Sequence, residues 1–140
     1  MYLEPADPGL AERIEGVARG WGGSFRVEGV ADWRRVVREF PGRVVHLTMY
    51  GEPLDRVMPR LRGSAELLLV VGGAKVPPEL YRISDVNVAV GPQPHSEVAA
   101  VAVMLDRLLG LPKSRTFAGA RRRIVPRSRG KKVVPSGARA

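Results

Sequence analysis

Apolar positions along this chain recur with two periods, and the switching between them sets out the elements. Met1 to Pro8 is irregular: Tyr2-Leu3-Glu4 suits the end of a strand, which Pro5 and Pro8 close. Leu10, Ile14 and Val17 then repeat at helical spacing between Gly9 and Gly20, with Glu12, Arg13 and Arg19 on the other side. Trp21-Gly22-Gly23 reads as a turn. Ser24 to Glu28 (SFRVE) alternates in polarity as a half-buried strand does. Asp32 resembles an N-cap, and Trp33, Val36, Val37 and Phe40 form the stripe of a second helix that stops before Pro41-Gly42.

The second half of the pattern is more strongly apolar. Arg43 to Thr48 (RVVHLT) predicts a strand, followed by Met49-Tyr50-Gly51 and a short amphipathic helix over Leu54 to Leu61. Glu66 to Val71 (ELLLVV) is apolar without alternation, which predicts a strand covered on both faces. It runs into Gly72-Gly73-Ala74-Lys75-Val76-Pro77-Pro78, and Glu79 to Ile83 supports at most a brief helix. Asp85 to Gly110 organises the rest. Val86, Val88, Ala89 and Val90 make a β-branched run, Gly91-Pro92-Gln93-Pro94 breaks it, and a helix restarts at His95-Ser96-Glu97. Ser96 suits the N-cap, and Glu97 places negative charge in the first turn. From Val98 to Leu105 the apolar residues encircle the helix rather than stripe it, so it needs cover on more than one side; this predicts a homodimer. Strands separated by helices at this spacing define an α/β fold with a mostly parallel sheet and helices on both faces.

Composition narrows the chemistry. With 140 residues the chain can bury a real core, and with no cysteine it has no disulfides and no thiolate metal ligands. Two histidines far apart, His46 and His95, make no case for a metal. No signal-like segment and no long apolar run appears, so the expectation is a cytoplasmic protein away from membranes. Charge is the larger surprise. The formal net charge is +9, and the excess lies after Pro112, where Lys113, Arg115, Arg121, Arg122, Arg123, Arg127, Arg129, Lys131, Lys132 and Arg139 occur without an acidic residue. The boundary expected from this is a domain over 1–111 and a basic tail over 112–140. Uncompensated cations in one block read as an RNA-binding arm, and Arg121, Arg122, Arg123, Arg127, Arg129, Lys131 and Lys132 are its candidate contacts. A solvated tail that only aids solubility is the bland alternative.

Three strand ends carry similar chemistry: HLTMYG, VGGAKVP and VGPQPHSE. Glycine at a strand end lets backbone approach a ligand closely, and in parallel α/β sheets ligands bind beyond the carboxyl ends of the strands. Neither GxGxxG nor GxxxxGK[ST] is present, so these are not the dinucleotide or phosphate loops of those motifs. Small residues and free amides at three successive ends suggest a slot for a flat heterocycle, held largely by main chain.

VVHLTMYG (44–51), VVGGAKVP (70–77) and NVAVGPQPHSEVAAVAVMLDR (87–107) together resemble the archaeal tRNA cytidine-56 2′-O-methyltransferases of the SPOUT superfamily, and RSRGKK (127–132) resembles that family's basic C-terminal segment. The resemblance implies a deep trefoil knot and a homodimer. It also implies S-adenosyl-L-methionine as cofactor and tRNA as substrate. Carried over by position, cofactor contacts fall on Leu47, on Gly72, Gly73, Ala74, Lys75 and Val76, and on Val90, Gly91, Pro92, Gln93, Pro94, His95, Ser96 and Glu97. Two departures stand out: Pro92 occupies a place where the family has asparagine, and Ala74 precedes Lys75 where a glutamate is common. The family's first strand and helix have no counterpart before Tyr2. They carry an arginine associated with the ribose hydroxyl, so the catalytic group is unassigned. A cofactor- or RNA-binding module of weak activity is the second reading.

Overall fold

The structure, a computed structural model, describes residues 2–3, 7–73, 75–110 and 117–137. The chain divides into two units, Arg34–Leu111 and a second one assembled from both chain ends, Met1–Trp33 with Pro112–Ala140.

The central unit is built on β3 (Arg43–Pro53), which has β4 (Leu67–Val71) on one side and β5 (Val86–Ala89) on the other. Both pairings are parallel. Its helices are α2 (Trp33–Glu39), α3 (Leu54–Leu61), α4 (Pro78–Ile83) and α5 (Glu97–Leu109). Strand alternation sorts the two faces of the sheet. Val45, Leu47, Val86 and Val88 meet Leu54, Val57, Met58 and Leu61 of α3 and Ala100 and Met104 of α5 in one apolar cluster. The i, i+3, i+4, i+7 spacing in α3 is what turns those four side chains to the sheet. On the opposite face His46 packs edge-on against Tyr81 of α4. Glu79 of the same helix receives Arg34 and Arg38 from α2.

β5 is fastened to β3 at its start. The Asp85 carboxylate accepts from Val44 N at 2.7 Å, and Asp85 N donates to Val44 O at 3.0 Å. Farther along the register shifts, with Leu47 and Glu52 both opposite Val88, so Thr48–Gly51 loop out of the ladder. β4 departs from expectation. It is an edge strand, half-buried at Leu67–Val70 and exposed at Val71, and so not fully covered among the described residues. The encircling pattern of α5 has a related outcome: only Ala100 and Met104 are buried, while Val98 is 79% and Leu109 75% exposed.

In the other unit α1 (Pro8–Trp21) begins on Asp7, whose side chain accepts from Leu10 N at 2.9 Å, with Pro8 at the first helical position. No α1 residue is fully buried, and Val17 of the expected apolar face is exposed. β1 (Tyr2–Leu3) pairs in parallel with β2 (Glu28–Gly29), so the strand expected over Ser24 to Glu28 is reduced to its last residue and the next. Ser24–Val27 form no ladder. The basic segment is folded where described: β6 (Arg122–Ile124) and β7 (Val133–Pro135) form an antiparallel hairpin.

Candidate functional site

Parallel pairing brings the ends of β4 and β5 level with the point in β3 where the ladder is interrupted. Leu47 stands opposite Val71 on β4 and Val88 on β5. Gly72 follows Val71 directly, and Val90 lies just beyond the end of β5. Leu47 and the starts of the loops after β4 and β5 therefore lie at the same end of the sheet. Ala74 lies outside the described residues.

The loops differ in how they are held. Gly72 is packed on Val76, whose Cγ2 would lie 2.3 Å from any added Cβ, so the loop folds back on itself there. At Gly73 and Gly91 an added Cβ would meet nothing within 4 Å, so open space faces both backbones. Leu47 is buried in the apolar cluster of the sheet. Lys75, Pro92, Gln93, Pro94, His95, Ser96 and Glu97 are exposed. Ser96 caps α5, its Oγ accepting from Ala99 N at 3.3 Å, and Glu97 opens the first turn.

Beneath the strand ends lies a polar arrangement that the apolar pattern hid. His46 is 0% exposed, and its Nδ1 is 2.8 Å from Asn87 Oδ1. The Asn87 amide donates through Nδ2 to Tyr81 O at 2.9 Å, which leaves Oδ1 to accept from His46. The imidazole thus carries its proton on Nδ1, and Nε2 is a bare acceptor without a partner among the described residues. Burial pushes the His46 pKa below its ordinary value, and the bond to Asn87 offsets part of that. Thr48 Oγ1 lies 3.3 Å from Tyr81 Oη, extending the network to the looped-out segment. Enclosed in this way, His46 ties β3 to β5 through Asn87 and to α4 through Tyr81. The register pairing of His46 with Asn87 was not visible in the sequence, although Asn87 is its only asparagine.

The basic candidates belong to the end-built unit. Arg121 precedes β6, Arg122 and Arg123 lie on it, and Arg127, Arg129, Lys131 and Lys132 occupy the connection to β7. Arg122 lies over the Trp21 ring, 4.9 Å from its centre, a cation–π contact that holds the hairpin on the end of α1. Among the described residues no group of three or more His, Cys, Asp and Glu could hold a metal, and no helix is long and apolar enough to cross a membrane.

A parallel α/β domain with glycine-bearing loops gathered at three strand ends defines the class. The particular family comes from comparison. Residues 21–134 match the profile of tRNA ribose 2′-O-methyltransferase, aTrm56. A tRNA (cytidine(56)-2′-O)-methyltransferase of Methanopyrus kandleri is 53% identical over 131 residues, covering 91% of this chain and 74% of that protein. Proteins of the same name from Archaeoglobus fulgidus and Methanothrix thermoacetophila are 44% and 46% identical, with 96% and 98% of this chain and 79% and 80% of theirs covered. The chain belongs to the tRNA ribose 2′-O-methyltransferase family.

Proposed function

We propose that this chain methylates the ribose 2′-hydroxyl of cytidine 56 in tRNA, with S-adenosyl-L-methionine as donor held by the three strand-end loops. The observation that carries the reading is the shared level of Leu47, Val71 and Val88, which gathers the loops the family resemblance singles out. The residues present fit such a donor. Leu47 offers apolar contact, Gly73 and Gly91 leave space against bare backbone, and Glu97 places a carboxylate at the rim for a cationic end. When bound, S-adenosylmethionine supplies a methyl on a sulfonium, already a good leaving group. What remains for the protein is to orient an in-line approach and exclude water, because a ribose hydroxyl is a weak acid. Gly72–Val76 and Val90–Glu97 shape the slot, and Pro92 and Pro94 stiffen its wall.

The finer parts of the reading follow from the family. β5 returns past β3 to the edge opposite β4, and the chain after it continues through the loop carrying Gly91 into α5. A SPOUT trefoil knot would tie this segment, an exception to the rule against threaded loops. The exposed apolar side of α5 forms the seam of a homodimer. Arg121, Arg122, Arg123, Arg127, Arg129, Lys131 and Lys132 contact tRNA phosphates, so RNA affinity falls as salt rises. A tRNA substrate implies action in the cytoplasm.

The test is calorimetric. The chain is expected to release heat with S-adenosylmethionine or its demethylated product, and Gly91→Val to abolish that heat while keeping the far-UV spectrum, because the added side chain enters open space. No heat from the unsubstituted chain with either ligand would overturn the assignment of these loops.

A further inference from the structure

Gly20–Arg26 and Phe117–Arg121 come from opposite ends of the chain and are clamped together by backbone. Gly23 N donates to Ala118 O at 2.9 Å and Arg121 N to Gly20 O at 3.1 Å. At Gly22, with φ of +83°, an added Cβ would fall 2.8 Å from the carbonyl oxygens of both Phe117 and Ala118. Only glycine permits that approach, so the junction is a built one. Between the segments opens a cleft of about 750 Å³. Its floor includes Gly22, Gly23 and Gly119, and its walls carry Arg19, Arg26 and Arg121 against the single acid Glu15. Phe25, 52% exposed, lines this cleft and also an adjoining one of about 660 Å³ over Gly22–Arg26, whose far side is Phe117, 50% exposed.

Two half-exposed aromatic rings beside three guanidinium groups, on a fixed backbone, have one partner that uses both. Flat apolar rings stack on nucleobases whatever their identity, and arginines neutralise phosphates alongside. A duplex offers the cleft no base faces, because its bases are stacked inside. We propose that this cleft binds an unpaired stretch of RNA, with Phe25 and Phe117 as stacking platforms and Arg19, Arg26 and Arg121 on the phosphates. The inference rests on the reading of the chain as an RNA-modifying enzyme, and it adds a contact in a different unit from the strand-end loops.

The experiment is fluorescence anisotropy with a labelled single-stranded oligoribonucleotide, the same sequence as a duplex, and a tRNA transcript, each over a range of salt. Phe25→Ala and Phe117→Ala are expected to weaken single-strand binding by roughly 5- to 150-fold each. The slope of log affinity against log salt stays unchanged in both. Duplex binding stays as it was. Phe25→Leu, which keeps apolar bulk without a flat face, is expected to lose affinity like the alanine variant, and Phe25→Tyr to retain it. Arg121→Ala flattens the salt slope by about one. Far-UV melting confirms folding of each variant, and the leucine and tyrosine pair decides the matter if an alanine variant unfolds. Phenylalanine variants that bind single strands like the parent, or a tyrosine variant that does not, overturn the cleft assignment alone. A parent chain that binds neither RNA overturns the RNA reading, and the cleft with it.

Discussion

Gly51→Ala tests whether the looped-out segment of β3 is fixed by a steric demand. A Cβ at Gly51 would sit 2.4 Å from Val88 N, 2.5 Å from Asn87 C and 2.6 Å from Asn87 O. Ordinary contact begins at 3.4 Å, so the overlap is about 1 Å and falls on backbone rather than on a side chain that can swing aside. β5 cannot retreat, being tied to β3 at Asp85 and to α4 through Asn87. Relief requires β3 to lift off β5 where Glu52 and Pro53 pair with Val88 and Ala89. Leaving one or two ladder groups unpaired costs about 1–3 kcal/mol each, so the expected loss is about 1–6 kcal/mol. That is a large share of a total stability of roughly 5–15 kcal/mol. Urea unfolding followed by circular dichroism reads it directly, with two glycine controls. Gly73→Ala enters open space and is expected to be near neutral. Gly63→Ala also enters open space but at φ of +89°, and is expected to lose about 1–2 kcal/mol to backbone strain. A Gly51→Ala midpoint equal to the parent's, or a smaller loss than at Gly63, would refute the steric account.

Burial lowers the His46 pKa from 6.5, so the unfolded chain takes up its proton first as pH falls. The contribution to stability is complete above about pH 6.5 and declines below it, toward the depressed folded value, by at most about 1.4 kcal/mol per pH unit. His46→Gln is expected to flatten that acid limb in urea midpoints measured from about pH 7.5 to 5, and parallel profiles for parent and variant would rule the imidazole out as its source. Leu105→Glu, at a residue 41% exposed on α5, is expected to convert the proposed dimer to monomer with little change in melting temperature. Light scattering that finds a monomer for the unsubstituted chain would dispose of the α5 seam.

Periodicity located the elements of the central unit because they follow local rules. The stripe of α3, the Ser96 cap and the break at Gly91-Pro92 each act within a few residues, and the structure has them where the pattern set them. Ordinary loop chemistry and the family resemblance also made the strand-end residues legible. Long-range partners were not. Nothing near Gly51 announces that β5 backbone presses on it, and nothing near His46 announces Asn87 or Tyr81. Alternation in Ser24 to Glu28 misled for a related reason: the pattern fits a strand, but only Glu28 finds a strand partner, in β1, and Phe25 lines a cleft instead. The run in β4 implied two covered faces, whereas its place at the sheet edge depends on topology that no single segment encodes.

The clamp between Gly20–Arg26 and Phe117–Arg121 sets an order of assembly during synthesis. The first of these segments leaves the ribosome well before its hydrogen-bonding partners Ala118 and Arg121, with all of Arg34–Leu111 made in between. Arg34–Leu111, complete before that moment, can close its own sheet from contacts already present. Helix α1 must wait. Closing it joins residues separated by most of the chain, so loop entropy is lost before any contact is gained, and this unit is expected to form slowly and last. The cleft bordered by Phe25 and Phe117 therefore forms only once Arg121 has been made, and a chain stopped short of it has no such cleft to offer RNA.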